Sequence, residues 1–187
     1  MYFKKLILAT LLLTGTISAE TNIGININNE DVELLGELNF NTLTDYSSGT
    51  TYILGGSYLH TDGDNLATLG FRGQNTLQGV EGLTLAIGAK FIFADDFMAL
   101  PLMAKATYAL PLIDTIPTTS LAASFAYAPS VLTFVDGETY TEFRLEADME
   151  VISNVHIFTG YRNIDTEYGN FDKTFNNSFY GGMKLSF

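Results

Sequence analysis

From Tyr140 to Val151 the chain alternates without a miss. Tyr140, Glu142, Arg144, Glu146, Asp148 and Glu150 share one parity; Thr141, Phe143, Leu145, Ala147, Met149 and Val151 share the other. A helix would spread those charges around its circumference. A β-strand, whose successive side chains point to opposite faces, gathers them into one charged and one apolar surface. A strand of this kind needs neighbours with the same pattern, because its backbone groups and its apolar face both require partners.

The neighbours are present. Val32, Leu34, Gly36, Leu38 and Phe40 oppose Glu33, Leu35, Glu37, Asn39 and Asn41. Leu83, Leu85, Ile87, Ala89, Phe91 and Phe93 oppose Thr84, Ala86, Gly88, Lys90 and Ile92. Alternation returns over 155–162 and 179–187, and more weakly over 22–28, 50–61, 66–74, 99–110 and 119–128. Pro101 lacks the N–H that a ladder needs, so a bulge or a strand start is expected there. Turn chemistry falls at 28–31, 62–65 and 152–154, and longer connections at 74–82, 129–138 and 164–177. After residue 20 no helical stripe, repeat or domain boundary interrupts this pattern.

The reading is an all-β protein: one antiparallel barrel with meander topology and eight to ten strands, ten favoured. An even count puts both termini at one end, the periplasmic one in a membrane barrel. The turn at 152–154 then becomes periplasmic, and 129–138 and 164–177 become outer loops.

Residues 1–19 read as an export signal, leaving 20–187 as the barrel domain. Lys4 and Lys5 precede the apolar run Leu6 to Leu13, and Ser18-Ala19 form a small-residue exit before Glu20. The run falls short of the roughly 20 residues a membrane helix needs. Of the 9 basic residues, removing Lys4 and Lys5 leaves 7 against 21 acidic ones, a mature net charge of −14. So acidic a chain is unsuited to nucleic acid. Its 14 Phe and 10 Tyr argue against disorder.

Alternation fits either a soluble barrel with an apolar core or a membrane barrel turned inside out. The charges favour the second. The best strands carry no charge on the apolar parity, where a Lys or Arg facing lipid would cost about 2–4 kcal/mol. The bases Arg72, Lys90, Lys105, Arg144, Arg162 and Lys184 all take the other parity, with the acids Glu33, Glu37, Glu142, Glu146, Asp148 and Glu150. These twelve residues form the expected lumen charge network. The acids of 140–151 would pair with Arg162 on the next strand, and Lys184 with Glu33 and Glu37 across the closure.

The last strand places Phe179, Met183, Leu185 and Phe187 on its apolar face. It resembles the C-terminal strand of bacterial outer-membrane barrels, which implies recognition by the assembly machinery. The stretches Leu54 to Leu59 (LGGSYL), Asn75 to Gly82 (NTLQGVEG), Tyr127 to Leu132 (YAPSVL) and Gly160 to Asp165 (GYRNID) extend the likeness. On these the chain is similar to the YfaZ family of outer-membrane proteins. The resemblance implies a small barrel in the bacterial outer membrane and carries no catalytic set.

The residues themselves offer no catalytic constellation, metal site or cofactor. His60 and His156 are the two histidines. A lipid A deacylase would want His-x-Ser, but Ile157-Phe158 follow His156. Asp62, Asp64 and Asn65 suit a hairpin tip better than a calcium loop, since Gly73 stands where an EF-hand needs its bidentate Glu. The expected function is a structural or interaction barrel with a lumen largely filled by paired charges. Its partners would be outer-membrane lipid, lipopolysaccharide and the assembly machinery. The alternatives are a narrow porin-like channel and, behind it, a lipid-active enzyme.

Overall fold

A computed structural model describes residues 21–41, 49–112, 117–169 and 171–187; the expected signal, 1–19, lies outside them. Twelve strands are present: β1 (Thr21–Ile27), β2 (Asp31–Asn39), β3 (Thr51–Thr61), β4 (Asp64–Thr76), β5 (Leu83–Ala94), β6 (Phe97–Ala99), β7 (Leu102–Ala109), β8 (Thr119–Ala128), β9 (Thr133–Val135), β10 (Gly137–Ile152), β11 (Val155–Tyr168) and β12 (Phe171–Ser186). Ten of them close into an antiparallel ring. β1 completes it by pairing with β2 on one side and with β12 on the other, Ile23 opposite both Gly36 and Leu185. The ring abolishes free edges along the wall.

The two short strands are continuations. β6 and β7 pair with β5 in one unbroken register, Ile92 opposite Ala99 and Ala89 opposite Leu102. Pro101 sits between them and accepts from the Lys90 N–H at 3.1 Å. The proline therefore begins a strand segment, as expected. β9 continues β8 after a single 3₁₀ turn at Ser130–Leu132, which offsets its pairing with β6.

Register partners fix the two faces. Ile25, Leu34, Leu69, Ile87, Phe125, Leu145 and Phe179 point outward and are exposed, which gives the wall an apolar exterior. Inside, large rings lie over glycines of the neighbouring strand. A Cβ on Gly160 would stand 2.7 Å from the end of the Tyr180 ring and 2.4 Å from the Leu145 carbonyl oxygen. One on Gly182 would stand 2.6 Å from the Phe158 ring. Gly160→Ala should accordingly cost about 1–3 kcal/mol through overpacking. Gly36→Ala should be near neutral, because nothing lies within 4 Å of that site. Urea titration in lipid vesicles, read from the folded band in unboiled gels, measures both; the chain has no Trp for fluorescence.

The ends of the barrel depart from expectation. At the end with the termini, β2–β3, β4–β5 and β7–β8 are joined by the longer connections, and β10–β11 by a short turn at Ser153-Asn154. The opposite end is closed by tight reversals, including Asp62-Gly63 with φ of 40° and 86°, the left-handed geometry of a two-residue hairpin. The expected outer loops are not loops. Residues 164–177 are mostly the rising and falling arms of β11 and β12, with Tyr168 paired to Phe171. Much of 129–138 is β9 and the start of β10. These segments read as polar because their outward residues, among them Asp165, Glu167 and Asp172, are polar, while Ile164 and Phe175 stay buried on the inward face and the hydrogen-bond ladder continues.

Candidate functional site: the barrel lumen

The interior is built in three layers. The layer nearest the tight reversals is apolar. Leu59, Leu66, Ile92, Phe97, Ile164 and Phe175 come from six different strands and are all buried. Tyr140 joins them, its ring stacked on Phe97 at 5.8 Å. Inward apolar side chains from around the ring fill this end, beside a hydrogen-bonded polar cluster of Asp31, Thr61 and Asn176.

Beneath lies a layer of charge. Arg144 on β10 and Arg162 on β11 are register partners, so two guanidiniums stand side by side. Glu33 reaches them across the barrel from β2. It accepts from Arg144 Nη1 and Nη2, both at 2.9 Å, and from Arg162 Nη1 at 2.5 Å. Asn26 Nδ2 donates to the same carboxylate at 2.8 Å. Glu33 and Arg162 are both 0 % exposed. Arg162 also donates to Asn176 Oδ1 at 2.9 Å, lies over the Tyr180 ring and approaches Asp31 at 3.6 Å. Arg144 Nε turns to Glu142 at 2.6 Å, and Glu142 in turn pairs with Lys90 and accepts from the Tyr140 hydroxyl at 2.5 Å. Strands β2, β5, β10 and β11 are thus tied across the lumen by charge-assisted bonds.

The third layer, toward the termini, is wetter. Arg72 pairs with Glu37 at 3.0 Å. Lys184 pairs with Asp148 at 2.8 Å, and His156 Nδ1 lies 2.7 Å from the same carboxylate. Exposure rises toward this end, from 0 % at Glu33 to 33 % at Glu37 and 25 % at Lys184. Between the second and third layers lies a cavity of about 190 Å³. Its walls are small residues, among them Gly55, Ser57, Gly70, Ala122 and Ser124, and its charges include Arg72, Lys105 and Lys184.

The twelve residues singled out by parity therefore fall into separate groups. Glu33, Lys90, Glu142, Arg144 and Arg162 form one connected set. Glu37–Arg72 and Asp148–Lys184 are separate pairs. Among the described residues Glu146, Glu150 and Lys105 make no ion pair. Glu146 accepts from the Tyr180 hydroxyl at 3.1 Å, and Glu150 accepts from the Asn154 N–H at 3.0 Å in the β10–β11 turn. The expected pairing of Lys184 with Glu33 and Glu37 gives way to Asp148, which is closer along the wall. Lys173, assigned by sequence to a loop, lies in β12 and pairs with Asp64 at 2.8 Å.

The charge network read from parity does not include Asp31, Asn26, Asn176 or Tyr180, although alternation over 179–187 puts Tyr180 on the face of Lys184. Asp31 closes an Asx turn, with the Asn28 side-chain oxygen accepting from its N–H at 2.7 Å, so it looked like turn material. His156 has its carboxylate, but among the described residues no hydroxyl bonds its other nitrogen. His60 faces outward and shares Asn65 Oδ1 with Tyr58. No group of three or more His, Cys, Asp or Glu among the described residues is placed to hold a metal ion.

The Phe179, Met183, Leu185 and Phe187 side chains lie together on the outer face at the closing seam, exposed at 76 % for Phe179 and 57 % for Phe187. A family model described as YfaZ precursor matches residues 3–187, nearly the whole chain. No curated protein matches the sequence.

Proposed function

Because the chain belongs to the YfaZ family, we propose that it is an exported barrel of the bacterial outer membrane with a structural or interaction role, closed to conduction and without catalysis. The observation that carries this reading is the division of the wall: in the middle of the closed ring the outward residues are apolar, while the charges at that level turn inward. In water that exterior would be an unbroken apolar belt far larger than soluble monomers expose. In lipid it is the solvent-matched surface. Outer-membrane lipid and lipopolysaccharide are the partners of the belt. The stripe Phe179, Met183, Leu185 and Phe187 is the surface offered to the assembly machinery.

Two features support closure over a narrow porin-like channel. The Glu33–Arg144–Glu142–Lys90 chain crosses the lumen, and the layer of Leu59, Ile92, Phe97 and Ile164 seals one end. Conduction would require both to open. Among the described residues His156 bonds Asp148 and no hydroxyl, which supports the non-catalytic reading over a lipid-active enzyme.

The mature protein should fractionate with outer membranes, resist carbonate extraction and give no steady conductance in planar bilayers. Recovery as a soluble periplasmic monomer would overturn the location. A stable ohmic step would overturn closure and favour the channel.

A further inference from the structure

The cavity in the third layer has an imbalance that the ion pairs do not remove. Lys105 projects into it from β7 and, among the described residues, has no carboxylate within 4 Å and no hydrogen bond. Glu37, which feels the charge of Lys105 and of Lys184, gives its hydrogen bond to Arg72 instead. Arg72 is in turn only half used. Its Nη2 serves Glu37, while its Nε is buried and has no partner. Lys184 is already engaged by Asp148. Five cations, Arg72, Lys90, Lys105, Arg144 and Lys184, thus line the cavity against three carboxylates, Glu37, Glu142 and Glu146, and two donor groups, the Lys105 ammonium and Arg72 Nε, are unsatisfied.

An unpaired charge and an unbonded buried donor each cost free energy that folding has to offset. Here they line the same space. The glycine, serine and alanine walls keep that space open; larger inward residues at Gly55, Gly70 and Ala122 would fill it. About 190 Å³ holds a small ion with a few waters, since each water takes roughly 30 Å³. The rise in exposure toward the termini shows from which end a solute enters.

We propose that the lumen cavity is a binding site for a small oxyanion, a phosphate or a carboxylate group, held by Lys105 and Arg72 and admitted from the end that bears the termini. The Glu33 to Lys90 layer forms the floor, so the site is a blind pocket and not a stage in conduction. Glu37 competes with the ligand for Arg72, which sets a ceiling on affinity. The inference goes beyond the structural role proposed above and does not depend on the barrel's location.

The test uses the whole mature protein folded in zwitterionic lipid vesicles at constant ionic strength. Inorganic phosphate and acetate are titrated separately by calorimetry. Saturable binding of at least one is expected. Lys105→Met, which keeps the aliphatic stem and removes only the charge, should weaken it at least tenfold. Glu37→Gln should tighten it severalfold, because it removes the competing charge and frees Arg72; a variant that merely loosened the barrel would not do so. Binding of phosphate alone assigns the site to phosphoryl groups, and of acetate alone to carboxylates. Absence of saturable binding by either, or equal affinity in wild type and Lys105→Met, overturns the proposal. The folded band in unboiled gels confirms that each variant is a barrel, so a failure here is distinct from a failure of the fold or of the membrane reading.

Discussion

Glu33→Ala is expected to lower the folding free energy by about 3–5 kcal/mol, the range for removing one partner from a buried ion pair. The reason lies in what it leaves behind. Arg162 is 0 % exposed and stands beside Arg144 in register. Without Glu33 these two like charges face each other, and the nearest remaining acid to Arg162 is Asp31 at 3.6 Å. Arg144 keeps Glu142; Arg162 keeps Asn176 and the Tyr180 ring, which orient a guanidinium but do not neutralise it. Pairing the change with Arg162→Met should recover most of the loss, because replacing both members of a buried pair by apolar groups is often neutral or better. Glu37→Gln supplies the contrast. Its carboxylate is a third exposed and its partner Arg72 borders the water-accessible cavity, so the loss should stay under about 1 kcal/mol. Urea titration in vesicles ranks the three variants. A Glu33→Ala loss no larger than that of Glu37→Gln would mean that the charge layer is as wet as the mouth.

This ranking was only half legible in the sequence. Parity alone places Glu33, Glu37, Glu142, Glu146, Arg144 and Arg162 on one face, because a strand has only two faces and one of them was free of charge. Parity says nothing about depth or about the strand across the lumen. Glu146 and Glu33 look alike by alternation, yet one accepts a tyrosine hydroxyl and the other bridges two arginines. That difference depends on which strands face each other once the ring closes, a property of the whole sheet. Nearest-neighbour logic made Arg162 the partner of the β10 acids, whereas the register puts Arg144 opposite it.

The apolar layer was partly legible. Leu59, Leu66 and Ile92 occupy the inward parity a few residues from the hairpins at 62–63 and 95–96. Three large aliphatic residues on the inner face at one end are consistent with a packed layer there. The bulge that brings both Phe175 and Asn176 inside was not legible. The register shift between Ile164 and Asp165 breaks the alternation in β12 and made that segment read as loop. Closure by β1 was legible only as a count, since a seven-residue strand has too few positions to show its pattern strongly.

Leu145→Arg tests the orientation on which everything outward depends. Leu145 lies in mid-β10, points out of the barrel between Ala123 on β8 and Tyr161 on β11, and is exposed. If the wall faces lipid, a guanidinium there lies near the middle of the hydrocarbon, and the cost should be about 2–4 kcal/mol. The next residue inward, Glu146, is already charged, so the local backbone tolerates a long polar side chain on the other parity; the penalty reports the medium and not the strand. A second substitution separates depth from face. Ile27→Arg lies at the end of β1 beside the Asn28 turn and also points outward. There the arginine reaches the interface, and the loss should fall to about 0–1 kcal/mol. A graded pair, large at Leu145 and small at Ile27, requires an apolar slab of finite thickness outside the barrel. Equal and negligible losses at both positions would mean that water bathes the whole wall, and the membrane reading would fail with it.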